Sequence, residues 1–282
     1  MLLGLTALAS TFFLVLPITS DTLPEQQAPA ARVSALAMAA PASPATTKEK
    51  GAEEKNKDAG LPVRLKTDDK KELTAQYYAP KKSKKKVPGV LLIHDQGSNC
   101  KDLQTLAKAL AKKHMGVLLL ELRGHGVNAA KNYDWSKADE KQRKSMWAFA
   151  SKDLDAAAEF LGKRKELHHS KLIIVGHGRG CALAANHAIE DRNTLATVFI
   201  QPAEQVYDFK LKDALVDMDG IPTLILCGKQ TLKDMIKTKE ACAPKNAEDS
   251  LVEVSSLKSK PKKVLKDARL SKYMTSWIAQ QL

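Results

Sequence analysis

At 282 residues the chain holds one large α/β domain or two small ones. An apolar share of 44% supplies a core, and aromatics at 5% leave little for base stacking on exposed rings. The formal charge is +13, from 45 Lys+Arg against 32 Asp+Glu. Lysines cluster at Lys81, Lys82, Lys84, Lys85 and Lys86, and again at Lys258, Lys260, Lys262 and Lys263. Such patches attract polyanions of any kind. No motif that reads DNA or RNA accompanies them, so no specific nucleic-acid partner is expected and the clusters read as solvated surface.

Residues Met1 to Ile18 are apolar and carry no charged side chain; Thr19, Ser20 and Asp21 follow. This predicts a secretory signal peptide over residues 1–20, with an uncleaved membrane anchor as the alternative. The chain is therefore expected to be exported: periplasmic, extracellular or membrane-anchored, with membrane contact only through this segment if it is uncleaved. Residues 21–60 are rich in Ala, Pro, Glu, Lys and Thr and read as a disordered linker. The folded domain is predicted over residues 61–282. Cys181 and Cys227 lie in apolar segments and read as buried small hydrophobes. Cys100 and Cys242 have loop or helix-end contexts that allow pairing in an exported protein.

Leu61 to Thr67 and Lys71 to Tyr78 alternate polar and apolar around Asp68, Asp69 and Lys70, which predicts an antiparallel hairpin. Val87 to His94 reads as a buried strand. Leu103, Leu106, Ala107, Leu110 and Ala111 keep helical spacing over Lys101 to His114. A second buried strand follows at Gly116 to Leu122, then a polar helix from Trp135 to Phe149 and an amphipathic one from Ser151 to Lys163. Further strands are predicted at Leu172 to Val175, Leu195 to Ile200, Ile221 to Gly228 and Leu251 to Val254. Leu265 to Gln281 closes the chain as a helix. Non-alternating apolar strands between helices predict an α/β fold: a mostly parallel sheet covered on both faces, led in by the hairpin.

The densest signal is Gly176-His177-Gly178-Arg179-Gly180, set between an apolar strand and the small-residue helix from Cys181 to Ala185. A strand that turns this sharply into a helix has the shape of a nucleophile elbow, G-x-S-x-G, with Gly178 in the serine position. Two further segments join it: Leu91 to Gly97, with His94, Asp95, Gln96 and Gly97, and Glu121 to Gly126, with Arg123, Gly124 and His125. Together they resemble the α/β-hydrolase superfamily, in the arrangement of lipases, esterases and serine aminopeptidases. The pattern is also similar to exported bacterial members in which the elbow serine is replaced. The resemblance covers residues 61–282. It implies the α/β-hydrolase fold, an oxyanion loop at Leu91 to Gly97, a base after the last strand and an acid after the strand ending at Gly228.

Acyl transfer needs a nucleophile, a histidine and an orienting carboxylate. Gly178 offers no nucleophile. The segment from Ser255 to Lys263 contains no histidine, and none of the seven lies beyond His187. Gln230 and Thr231 stand near the acid position, and Asp234 is the first acid after it. The expectation is a pseudohydrolase kept as a ligand-binding or structural module. One alternative is an ester or amide hydrolase with an unconventional nucleophile or base; another is a basic polyanion-binding module. The amides of Gln96 and Arg179 are a candidate anion nest for a carboxylate, phosphate or sulfate, but the preferred reading is a plain helix N-terminus; a small-molecule or anionic ligand is a possible partner. Arg179 itself reads as pointing to solvent. His94, His125 and His177 fall at adjacent strand ends, where packing and hydrogen bonding explain them better than a metal. No metal or cofactor is expected. His168 and His169 read as an exposed loop pair, and Asp155 as a helix cap or ion-pair partner.

Overall fold

The computed structural model describes residues 60–81, 85–130, 133–218, 220–242 and 251–282. The predicted signal segment, the linker and part of the first lysine cluster lie outside them. β1 (Leu61–Lys66) and β2 (Glu72–Tyr78) pair antiparallel, with Leu61 opposite Tyr77 and Lys66 opposite Glu72. Lys70 adopts φ 64° in the turn between them. β3 (Val87–Ile93), β4 (Gly116–Leu120), β5 (Leu167–His177) and β6 (Thr194–Ile200) run parallel. A small hairpin, β7 (Gln205–Val206) and β8 (Phe209–Lys210), precedes β9 (Thr223–Gly228) and β10 (Val252–Leu257). The main sheet has eight strands in the order β1-β2-β4-β3-β5-β6-β9-β10, with β2 antiparallel to β4.

The strands are apolar throughout because both faces are covered. Alternate residues of one strand enter opposite cores. Leu91, Ile93, Leu118, Leu120, Ile174, Phe199 and Ile225 pack on one side with residues of α3 (Ser151–Gly162), α4 (Gly180–Glu190), α5 (Leu211–Asp217) and α6 (Leu232–Cys242). Val90, Leu92, Val117, Leu119, Ile173, Val175 and Leu224 face α1 (Gln104–Ala111) and α7 (Leu270–Gln280), where Leu106, Leu110, Met274, Trp277 and Ile278 meet them.

Several element bounds differ from the sequence expectation. α2 (Glu140–Phe149) begins after Trp135, because Asp139 caps it: the Asp139 carboxylate accepts from Gln142 N–H at 2.8 Å, and Gln142 Oε1 accepts from Asp139 N–H at 2.9 Å. Trp135 is instead buried in the preceding loop, stacked on His125. Short 3-10 turns at Cys100–Leu103 and Pro261–Lys266 take the first residues expected for α1 and α7. His168 and His169 belong to β5, not to a loop. The β7–β8 hairpin, α5 and α6 were not expected. Cys100 and Cys242 are free thiols, Cys100 buried beside Glu121, whose carboxylate accepts the Cys100 N–H.

Candidate functional site: the elbow cleft

β5 ends at His177 and α4 starts at Gly180, so the chain reverses within two residues. Each glycine of the turn has a physical reason. A Cβ at 176 would stand 2.5 Å from Cys181 Cα, and one at 180 would stand 2.4 Å from the His94 carbonyl oxygen. Gly178 has φ +56°, a region that disfavours side chains. A Cβ there would also lie 2.3 Å from the Asp95 carboxyl carbon. The space that a side chain at 178 would enter is thus taken by the Asp95 carboxylate of the loop after β3.

That loop is built from side chains that serve backbone groups. The Asp95 carbonyl accepts from His94 Nδ1 at 2.8 Å and from Ser98 N–H at 3.1 Å. His94 Nε2 accepts from Leu122 N–H at 3.1 Å. His125 Nε2 accepts from Gly97 N–H at 3.1 Å, and its Nδ1 donates to the Arg123 carbonyl at 2.9 Å. Burial holds the His125 imidazole down at about 4, so it is neutral and fit to accept. Arg123 is itself buried between Asp69 and Asp153, with Nη1 2.7 Å from Asp69 Oδ2 and Nε 2.7 Å from Asp153 Oδ1. The Glu121 to Gly126 segment therefore fastens the loop after β3 to the hairpin turn and to α3.

Asp95 Oδ1 accepts from Arg179 N–H at 2.7 Å and from Gln96 N–H at 2.8 Å. These are the two amides of the candidate anion nest, and both bond an internal carboxylate. Arg179 is exposed, yet its guanidinium bonds to Gln96 Oε1 rather than only to solvent. Gln96 Nε2 in turn donates to Tyr207 Oη at 2.8 Å. Gly97, at φ +74°, lies against the Trp135 ring.

A cleft of about 840 Å³ opens over Gly178 and Asp95. α1 and its 3-10 turn contribute Lys101, Asp102, Thr105, Leu106 and Ala109, and the β6 end contributes Gln201. Leu265, Lys266, Asp267, Ala268, Leu270 and Ser271 form the wall beyond β10. Where the resemblance places the acid, Gln201 accepts from Gly228 N–H at 3.0 Å and donates to Thr231 Oγ1 at 3.1 Å. Asp234 sits in the first turn of α6. His177 is the cleft's imidazole. Its Nδ1 is buried without a hydrogen-bond partner among the described residues, and burial lowers its pKa against the opposing pull of Asp95 and Asp102.

Ser98, Cys100 and Cys181 are each occupied or suppressed as nucleophiles. Ser98 Oγ donates to Asp102 Oδ2. Burial raises the Cys100 thiol to about 12 and the Cys181 thiol well above its ordinary value, so both stay protonated. Among the described residues no group of three or more His, Cys, Asp or Glu is arranged to hold a metal ion. Asp155 pairs with His187 Nδ1 at 3.0 Å, at the far end of the sheet, where His168 also lies and His169 is exposed. The sequence singled out His94, Asp95, Gln96, Gly97, His177, Gly178 and Arg179; Asp95, Gln96, Gly178 and Arg179 meet at the elbow turn, while Gly97 lies against Trp135 and His125. Gln201, Tyr207 and Trp135 were not foreseen, because their roles depend on contacts between distant segments.

The sheet order, the glycine elbow and the loop after β3 define an α/β hydrolase by architecture. A family model described as serine aminopeptidase, S33, matches residues 84–265, and the chain belongs to that family. No curated protein sequence matches it. Among solved structures it is similar to DcsB in complex with its substrate analogue, with a TM-score of 0.62, 13% identity, and coverage of 79% of this chain and 100% of that one. A putative dienelactone hydrolase from Klebsiella pneumoniae gives a TM-score of 0.59, 17% identity, and coverage of 78% and 98%. An esterase of Pyrococcus furiosus gives 0.58, 12% identity, and coverage of 79% and 89%. At these identities the likeness is one of fold.

Proposed function

We propose that this chain is an exported α/β-hydrolase-fold protein that performs no serine-hydrolase chemistry and uses the cleft over Gly178 to bind a small molecule. One observation carries the reading. The elbow position has no side chain, and the wall beyond β10, from which the base would come, presents leucine, lysine, aspartate, alanine and serine but no imidazole. Loss of either nucleophile or base removes most of the rate in a triad enzyme, and here both positions lack the needed group. His177 does not replace the base, because it belongs to the elbow itself and its buried Nδ1 has no hydrogen-bond partner among the described residues. Export is supported by the charge-free apolar run from Met1 to Ile18.

The test is a serine-directed fluorophosphonate probe together with short-chain ester turnover on the purified protein. The expected result is no label and no turnover above buffer. Labelling or turnover that disappears on substitution of a residue lining the elbow cleft would overturn the proposal.

A further inference from the structure

The two amides at the head of the cleft converge on one atom. Arg179 N–H and Gln96 N–H both donate to Asp95 Oδ1, at 2.7 and 2.8 Å. These lengths match charge-assisted bonds to an ionised carboxylate. The Arg179 amide opens α4, a helix of 11 residues whose N-terminus favours negative charge. The space occupied by the carboxylate exists only because residue 178 lacks a Cβ, which would stand 2.3 Å from Asp95 Cγ. The Asp95 backbone is also pinned, its carbonyl held by His94 Nδ1 and Ser98 N–H.

We infer that Arg179 N–H and Gln96 N–H form a carboxylate-binding site whose resident ligand is this chain's own Asp95, so that the cleft is closed to acyl oxyanions and free carboxylates. A ligand tethered this closely competes at an effective concentration of millimolar or more. A free carboxylate must displace it and gains the same two bonds, so it has no net advantage. Removing the Asp95 side chain leaves two aligned donors at a helix N-terminus, which a small carboxylate can then occupy. The inference deepens the reading of the elbow cleft as a binding site and rests on it.

Acetate is the probe, titrated into the full chain as wild type, Asp95→Ala and Asp95→Asn, with amide shifts of Arg179 and Gln96 and thermal unfolding as readouts. The wild type is expected to show no saturable shift. Asp95→Asn is expected to behave likewise, because its amide oxygen still accepts both N–H groups. Asp95→Ala is expected to show saturable shifts at both amides and a melting temperature raised by about 3–6 °C at tenfold the dissociation constant. Equal acetate binding by the wild type, or none by a folded Asp95→Ala, would overturn the inference. Hydrogen exchange on the wild type needs no variant: both amides should be protected, and exchange of either at the rate of an exposed amide would sink the idea. Fluorophosphonate labelling of the wild type would defeat the non-catalytic reading and leave the acetate result standing, so the two failures are distinguishable.

Discussion

At the scale of single residues, Gly178 and Asp95 act as one unit. Serine at 178 brings a Cβ into the Asp95 carboxylate and a side chain to a positive φ. Overpacking and backbone strain each cost about 1–3 kcal/mol. Gly178→Ser is therefore expected to destabilise the wild type by roughly 2–6 kcal/mol and to restore no ester turnover. Most of the clash disappears when Asp95 is alanine, so the same change in Asp95→Ala should cost at least about 1 kcal/mol less. Denaturant melts of the two single variants and the double variant measure that coupling. Strict additivity would show that the carboxylate does not occupy the space over residue 178.

At the scale of elements, boundaries follow local chemistry that hydrophobic period alone does not report. β3, β4 and the core of β5 were legible because burial on both faces leaves an uninterrupted apolar run. The start of α2 was misjudged, although Asp139 and Gln142, three residues apart, carried a capping signature. α6 was missed for a different reason: it buries only Met235, so its sequence has little apolar period to read. The capping box makes a direct test. Asp139→Ala removes the acceptor for Gln142 N–H and is expected to cost about 1 kcal/mol in thermal or denaturant unfolding. No change beyond a few tenths would mean that the helix starts elsewhere.

At the scale of the whole molecule, stability depends on keeping a buried imidazole neutral. The His125 pKa falls from 6.5 to about 4 because burial penalises its charged form. Between those values the unfolded chain binds a proton that the folded chain refuses, so stability falls as pH drops from about 6.5 toward 4. The contribution is on the order of 2–3 kcal/mol across that window. Equilibrium melts at several pH values should show a shallower slope for His125→Asn than for the wild type; identical slopes would count against a buried neutral His125. The candidate site was legible to the same depth as this core. Gly178 and the histidine-free end of the chain can be read directly, because both are statements about which residue stands where. The hold of Asp95 on Arg179 N–H was not legible, since it joins residues 84 positions apart and depends on where one loop side chain falls.

The Asp95 contact also bears on what mutation can reach. A codon change that puts serine at 178 meets an occupied space, and a change that frees the space leaves the elbow without an attacking group. Neither change alone supplies an attacking group with room to stand, and the cleft wall beyond β10 presents no imidazole. On the proposed reading, serine-hydrolase chemistry would need changes at residue 178, at Asp95 and beyond β10 together. The Arg123 clamp stands apart from those positions. It fastens the hairpin turn to α3, a demand of folding rather than of catalysis.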